Sequence, residues 1–518
     1  MTLDVVIAGG GPNGLMLACE LSLAGVRPVV LERMTELNAE PKANGLVGQV
    51  VQLLDHRGLY QRFGGGPGAP RPTPQYMFGA FPLNLEMLDA NPICILPIPQ
   101  RRMEQLLADR AHELGVEIRR GHELTALSQD DDGVTVEVQG PDGPYRLRTR
   151  YLVGCDGGHS TVRNQAGIAF PGVTASGLVS RTAHVTLPDS VLTPGTGELG
   201  IPGFGRIPPF TFTRTEQGVF VFAMLEPGKP LISTIEWDQP PGDDDVPTAM
   251  TLEELRDSVN RVLGVDLPFG PPSAPGPHLL RRLAGGNTRL AERYRHGRVL
   301  LVGDAAHVHS AVGGPGLNLG LQDAANLGWK LAAQVQGWAP PGLLDTYHSE
   351  RHPVGERVFM HSQTQTALMA PGPGVTAVRE LFGELLQRKD NVQHIADMMA
   401  GTDIRYDMAP SHPLVGRFAP DLPLVTDTGP TRVAELMRDA RPILLDFTGR
   451  STLAHLAVNW KSRVDVVTAA CQEPSLDALL IRPDGYVAWA AAPDEPTEQV
   501  HKGLQLALTT WLGAPKGD

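Results

Sequence analysis

A run from Leu3 to Ala8, apolar but for Asp4, gives way to a glycine cluster at residues 9–14. A short apolar run bounded by turn residues predicts a strand buried on both faces. Residues 15–24 read as an apolar helix closed by Gly25, and 26–31 as a second strand, so the chain opens β-α-β. A helix is expected over 46–59, followed by a breaker-rich stretch at 64–74. Met103, Leu106, Leu107, Ala111 and Leu114 recur at helical spacing, predicting a helix that begins just after Gln100 and stops at Gly115. Short strands are expected at 116–118, 134–138 and 151–154, with turns at 130–133 and 141–143.

The texture changes between 176 and 275. Short β-like runs at 183–187, 219–225 and 231–237 alternate with loops rich in Pro, Gly and Asp, which predicts a β-rich insertion. An α/β pattern then returns, with a strand at 298–302 and a helix from 317 to 335. A Pro-rich boundary at 409–424 precedes a region with strands at 442–446, 464–467 and 478–482. The expected fold is therefore α/β: a Rossmann-like dinucleotide domain in two parts (1–175 and 276–408, the second with connecting helices), a β-rich unit at 176–275 that 73–98 could join, and a C-terminal unit at 409–518.

The 518 residues suffice for two or three domains, and 42% hydrophobic content excludes a disordered chain. With 44 basic and 57 acidic residues, the net charge of −13 gives no electrostatic reason to seek nucleic acid or an anionic membrane surface. Cys19, Cys94, Cys155 and Cys471 lie far apart and form no CxxC, which speaks against a disulfide framework and a zinc site. No leader-like segment precedes the first strand, and no apolar stretch approaches the ~20 residues that span a bilayer. A reducing cytoplasm is the expected location.

Three stretches carry the chemistry. Residues 9–14 match G-x-G-x-x-G between a strand and a helix: Gly9 permits the tight turn, Gly11 lets the backbone approach a pyrophosphate, and Gly14 lets helix and strand pack closely. Glu32, at the end of the second strand, can accept two ribose hydroxyls. The second stretch is Asp156-Gly157-Gly158-His159-Ser160-Thr161-Val162-Arg163, the third Gly303-Asp304-Ala305-Ala306-His307. Each places an aspartate just past a strand's carboxyl end, where open α/β sheets bind ligands. The third is followed by Gly313-Gly314-Pro315-Gly316-Leu317-Asn318, which leads into a helix whose N–H groups suit an anion.

With these motifs in this order, the chain resembles the class A flavoprotein aromatic hydroxylases, the para-hydroxybenzoate hydroxylase type. It is more similar still to the hydroxylases of aromatic polyketide pathways and to rifampicin monooxygenase. The resemblance implies FAD as cofactor, NADPH or NADH as co-substrate, and O2 and an aromatic small molecule as partners, in a monomer or homodimer. Gly9, Gly11, Pro12, Asn13 and Gly14 would form the first FAD loop. Glu32, beside Arg33, would hold the adenosine ribose, Lys42 would lie near the cofactor, Gln100 near the ribityl chain or flavin edge, and Leu124 near the adenine. Asp156 and Arg163 belong to the motif linked with both FAD pyrophosphate and NAD(P)H. Gly303 and Asp304 would meet the ribityl chain, and Gly314, Gly316, Leu317 and Asn318 the pyrimidine end. Ser310, Ala311, Val312 and Pro315 stand where the family usually carries prolines and a glutamine.

The implied reaction is oxygen transfer to an electron-rich ring through a flavin C4a-hydroperoxide. Baeyer–Villiger oxygenation of a ketone on the same fold is the alternative; a non-catalytic flavin-binding module is a third. The W-x-W-x-I-P signature of flavin halogenases is absent. No catalytic base is assigned: His184, Arg181, Arg214 and Glu236 are candidates, and for each a surface or structural role is the better reading. His307 and His309 with Asp304 fall short of a metal-ligand set. The C-terminal unit resembles a thioredoxin-like domain without its CxxC, and residues 482–486 read as a hairpin turn.

Overall fold

The computed structural model describes the chain except residues 1, 38–44, 176, 227, 239–249, 274–277, 310–313, 409–411, 450–451, 474–475, 516–518 and the side chains of 225 and 226. Its N-terminal unit is β1 (Leu3–Ala8), α1 (Pro12–Leu23) and β2 (Pro28–Glu32). Next come β3 (Gly45–Val47), α2 (Gln100–Glu113), β4 (Glu117–Arg120) and β5 (Gly143–Gly154). Late in the chain β6 (Val299–Leu301) returns to the same sheet, ahead of the long helices α3 (Pro315–Gln336) and α4 (Thr346–Met369).

The eight-stranded central sheet contains the parallel run β6-β5-β1-β2-β4, with Val5 beside Tyr151, Ile7 beside Val30 and Leu152 beside Val299, and three antiparallel strands: Arg295–His296 on β6, Val134–Gly140 on β5, and Glu123–Gln129 on Val134–Gly140. Parallel strands need cover on both faces, and the near-continuous Val/Ile/Leu runs of β1, β2 and β6 meet that need. Helices α1 and α3 pack closely: a Cβ on Gly328 would stand 2.5 Å from Glu20 Cβ.

Several boundaries differ from the sequence reading for local reasons. Helix α1 starts at Pro12 rather than 15, because proline is pre-set for a first helical turn and Gly11 takes the cap position. The helix expected over 46–59 splits: β3 pairs with Ile95–Pro97, and a shorter helix spans Gln49–Asp55. Gly48 makes the break at φ +80, and a Cβ there would lie 2.5 Å from the Ala400 backbone. The 151–154 strand is the end of the longer β5.

Residues 176–284 contain a five-stranded antiparallel sheet in the order Thr211–Arg214, Val219–Glu226, Lys229–Glu236, Val179–His184, Leu280–Ala284. The sequence reading missed the helix Leu252–Leu263 on one face of this sheet. Thr251 caps its start, Oγ1 accepting from Glu254 N at 3.1 Å, and Gly264 closes it at φ +69. Leu255, Val259 and Val262 bury against Phe220, Phe222 and Ile232.

The C-terminal region holds a four-stranded sheet in the order Asp465–Thr468, Ile443–Asp446, Ala478–Ile481, Val487–Ala491. Helix Thr497–Leu512 packs Leu504 and Leu508 into a cluster with Trp460 and Trp489. Residues 482–486 form the expected turn, with Gly485 at φ +87. The turn is not a surface hairpin, however, since Arg482, Asp484 and Tyr486 are all buried.

The contact between the two ends of the chain includes His56, 1% exposed and stacked on Phe418 with ring centroids 4.8 Å apart. Burial first, then the charges of Arg57 and Arg432, pull its pKa down to about 3. A histidine neutral when folded and protonated below about 6.5 when unfolded contributes fully above that pH and loses its contribution as pH falls. Between about pH 7 and pH 5 this imidazole should lower stability by about 2 kcal/mol. Urea titrations at the two pH values should show His56→Phe escaping that share of the loss.

Candidate cofactor and active site

Three loops leave the carboxyl ends of β1, β5 and β6, three adjacent strands, and meet. Gly9 has φ +108, and a Cβ there would stand 2.3 Å from Cys155 O. A Cβ on Gly14 would stand 2.0 Å from Gly9 O, so helix and turn touch backbone to backbone. At Gly11 a Cβ would meet nothing within 4 Å: this part of the loop faces open space. Glu32 turns its carboxylate onto the same loop, accepting from Gly10 N at 2.6 Å and from Met34 N at 2.8 Å. Arg33 is exposed.

Asn13 points away from the open side. Its side chain lies where Cβ atoms on Gly303 and Gly320 would be, at 2.0 and 2.4 Å from its Nδ2. It therefore clamps the first loop onto the third, and its Oδ1 is buried without a hydrogen-bond partner. Pro12 is buried at the head of α1.

The second loop is held by its own residues. Asp156 accepts from Ser160 Oγ at 2.5 Å and from Val162 N at 3.0 Å, and burial pushes its carboxyl above the ordinary range. Arg163 donates to Ala305 O and Gly158 O, each at 3.0 Å, and lies 3.8 Å over the Phe170 ring. Its guanidinium thus ties the second loop to the third. Gly303 adopts φ +64, and Asp304 is exposed, with its Oδ1 3.6 Å from where a Gly316 Cβ would be.

Helix α3 begins at Pro315, capped by Gly314 at φ +60. Asn318 Oδ1 accepts from Val47 N at 3.1 Å and its Nδ2 donates to Gly314 O at 3.0 Å, so one side chain joins β3 to the helix start. Gly316 and Leu317 lie in that first turn, half-buried. Gln100 opens α2 and donates to Glu104 at 2.7 Å. Leu124 is buried in the main core. Lys42 and residues 310–312 lie outside the described residues.

Behind these loops is a buried ionic network that the sequence reading did not find. Asp323, fully buried on α3, meets His307 Nε2 at 2.6 Å and Arg351 Nε at 2.7 Å, and lies 3.4 Å from Gly303 N. Burial alone would raise the Asp323 carboxyl; Arg351 and His307 reverse this and hold it below its usual range. The adjacent Glu350 takes two bonds from Arg482, both 2.7 Å, and one from Lys330 at 2.6 Å. Asn326 donates to Glu350 at 2.7 Å and to Asp484 at 2.9 Å. One turn further, Arg57 pairs with Glu20 at 2.7 Å and donates to Pro483 O at 2.6 Å. A signal for it existed: Asp323, Asn326 and Lys330 form a polar stripe at helical spacing in the middle of a helix rich in Leu and Ala.

The four candidate bases are all held structurally. Arg181 pairs with Glu236 and Glu254 at 2.7 and 2.8 Å on the helix side of the five-stranded sheet, and His184 Nδ1 accepts from Leu279 N at 2.9 Å. Arg214 donates to Ala370 O at 3.0 Å and Thr376 at 3.1 Å. The opposite face of that sheet presents Val219, Val221, Phe212, Ile235 and Trp237 toward Met369 and Ala80, with Ser233 bonded to Thr182 at 2.7 Å. Among the described residues, no three His, Cys, Asp or Glu gather as a metal set, and no helix is long and apolar enough to cross a membrane.

Comparison with known proteins agrees with this geometry. A family described as "FAD binding domain" matches residues 2–362, and one described as "Aromatic-ring hydroxylase, C-terminal" matches 412–515. The chain is 43% identical to a 12-dehydrotetracycline 5-monooxygenase/anhydrotetracycline 6-monooxygenase of Streptomyces rimosus, covering 99% of this chain and 100% of the relative. A rifampicin monooxygenase of Streptomyces venezuelae is 41% identical and a dialkyldecalin synthase of Streptomyces rugosporus 39%, each over 99% of both chains. The solved anhydrotetracycline hydroxylase of Streptomyces rimosus superposes with a TM-score of 0.86 at 42% identity, over 99% of this chain and 100% of that one. The chain belongs to the FAD-dependent aromatic-ring hydroxylase family and is a flavoprotein monooxygenase.

Proposed function

We propose that this monooxygenase uses NADPH or NADH and O2 to place one oxygen atom on a multi-ring, polyketide-type aromatic substrate, in the cytoplasm. The observation that carries the cofactor part is the meeting of the three loops at the ends of β6, β5 and β1. The residues fit an FAD. The open face at Gly11 leaves room for a pyrophosphate beside the α1 N-terminus, Glu32 stands where a ribose would lie, and the α3 N-terminus supplies free N–H groups for the pyrimidine edge. When bound, FAD supplies hydride acceptance and O2 activation, the hard chemistry of the reaction.

Residues of this chain do the rest. Asn13, Arg163 and Asn318 fix the loops on one another, so Asp304 and the α3 start keep their spacing to the cofactor. The apolar sheet face with Phe212 and Trp237 walls off water and supports flat rings. We assign the substrate wall to residues 176–284, and read the C-terminal sheet and helix as thioredoxin-like, supported by its parallel pair flanked by antiparallel strands.

Glu32→Ala removes a carboxylate that would hold the ribose through charge-assisted hydrogen bonds. FAD affinity should fall roughly tenfold to a hundredfold, about 1.5–3 kcal/mol, in a fluorescence titration of flavin-free protein. The function itself is tested by NADPH-linked O2 uptake and labelled-oxygen incorporation into aromatic polyketides. Because a relative named as a synthase spans the same length, oxygen in the product decides, not flavin content. Product structure separates ring hydroxylation from ester formation. NADPH oxidation that no aromatic compound stimulates would count against the proposal.

A further inference from the structure

Two short strands outside the nucleotide sheet, Gln75–Phe78 and Phe81–Asn84, pair antiparallel with Phe78 opposite Phe81. Only Gly79 and Ala80 turn the chain between them, and both have positive φ, +55 and +61. Such a two-residue hairpin turn favours glycine or asparagine. Alanine at the second position carries a Cβ that the left-handed region disfavours. A residue held this way persists where its surroundings over-determine it.

Those surroundings converge on one side chain. Arg379 donates through Nη1 to Gly79 O at 2.7 Å and Leu368 O at 2.8 Å, and through Nη2 to Ala80 O at 3.1 Å. Its guanidinium lies 3.9 Å over the Phe81 ring. Gln365 Oε1 accepts from Gly79 N at 3.3 Å. Arg379 sits on the helix Pro373–Leu385, and Phe382, on the same face, meets Phe81 with ring centroids 5.2 Å apart. Among the described residues no carboxylate pairs with Arg379, and burial, helped by Arg214, pulls its pKa down to about 10. The guanidinium still carries its charge near pH 7 and directs it at three backbone carbonyls.

This turn borders the site. Ala80 packs with Val219, Ile235 and Met369 on the apolar sheet face assigned above to the substrate rings. Arg214, on the outer strand of that sheet, donates to Ala370 O at 3.0 Å and Thr376 Oγ1 at 3.1 Å. Two arginines thus register the sheet and the hairpin on one link, residues 368–376. We propose that Arg379 is a positioning residue for oxygenation: it holds the Gly79–Ala80 turn against the sheet face and so sets the depth of the space in which the aromatic rings lie. The proposal rests on the reading of the chain as an oxygenase of multi-ring aromatics, and deepens it with a residue that acts on the substrate through Ala80.

The test compares wild type, Arg379→Met and Arg379→Lys, with a dihydroxyanthraquinone as probe. Methionine keeps the stem over Phe81 but can donate to none of the three carbonyls. In Arg379→Met the KM for the probe should rise about tenfold, with kcat for NADPH oxidation changed less than about threefold, as expected when a wall shifts and the reacting groups stay. The share of NADPH that ends as oxygenated product should fall at least about twofold, while FAD affinity stays within about twofold. Amide exchange at residues 79–81, read by mass spectrometry on flavin-free protein, should quicken. Arg379→Lys, a single ammonium in place of a planar fork, should recover part of the KM. Wild-type KM and coupling in Arg379→Met overturn the proposal, as does unchanged exchange at the turn. So does a loss of FAD affinity equal to the loss of probe affinity, the mark of a general structural defect. If Arg379→Met does not fold, Arg379→Lys decides by the same readouts, each expected between wild type and the values above. A wild type whose NADPH oxidation no multi-ring phenol stimulates would sink the functional reading, before any variant is compared, and the proposal with it.

Discussion

Arg482→Met is expected to lower folding stability by about 3–5 kcal/mol, the usual cost of leaving a buried charge without its partner. Arg482 is 1% exposed and bonds both Glu350 and Asp484. Methionine fills part of the space but leaves two carboxylates sharing Lys330 and Asn326. Lys330 is a single cation and cannot match two carboxylates. Denaturant titration followed by tryptophan fluorescence measures the loss. A change below about 1 kcal/mol, the scale of a surface ion pair, would show that the network contributes little. Arg482→Lys should recover only part, because an ammonium cannot bridge both carboxylates in the planar, two-pronged way a guanidinium does.

Gly14→Ala should yield a protein that folds poorly or folds without flavin. The added methyl would lie 2.0 Å from Gly9 O, which is backbone and cannot rotate aside. Relief requires α1 to move off the turn, and overpacking of this kind costs about 1–3 kcal/mol or more. The turn and the helix N-terminus are the two elements that would face the pyrophosphate, so the displacement falls directly on binding. FAD affinity should drop by about a hundredfold, near 2.7 kcal/mol, measured by titrating flavin-free protein and by the flavin content of the purified variant. Retention of flavin at wild-type affinity would contradict the assigned role of the first loop.

Much of this was visible in the sequence because local chemistry dictated it. Gly9 and Gly14 announce a turn packed too closely for side chains, and strands β1, β2 and β6 announce themselves as near-continuous apolar runs. What stayed hidden depends on distant partners. Arg163 carries the same charge whether it faces a phosphate or Ala305 O, and only the fold shows that it joins two loops. Asn13 sits in a motif read as cofactor-facing, yet its side chain fills the space left by Gly303 and Gly320, 290 and 307 residues away. The helix Leu252–Leu263 is a different case. Its capping threonine and closing glycine were legible, but the Pro- and Asp-rich residues just before it suggested a loop.

The turn at 482–486 has a consequence for how the chain is made. Synthesis proceeds from the amino end, so β1, β2, β4 and β5 emerge well before β6, and Arg482 comes later still. Until it arrives, Glu350 keeps Lys330 and Asn326 but lacks its guanidinium partner, and Arg57 lacks the Pro483 carbonyl. The nucleotide-binding half therefore waits on the ribosome for nearly the whole polypeptide before its interior charges are matched. Contacts this far apart in sequence form slowly, and a nascent chain stopped short of residue 482 should be held open and depend on chaperones.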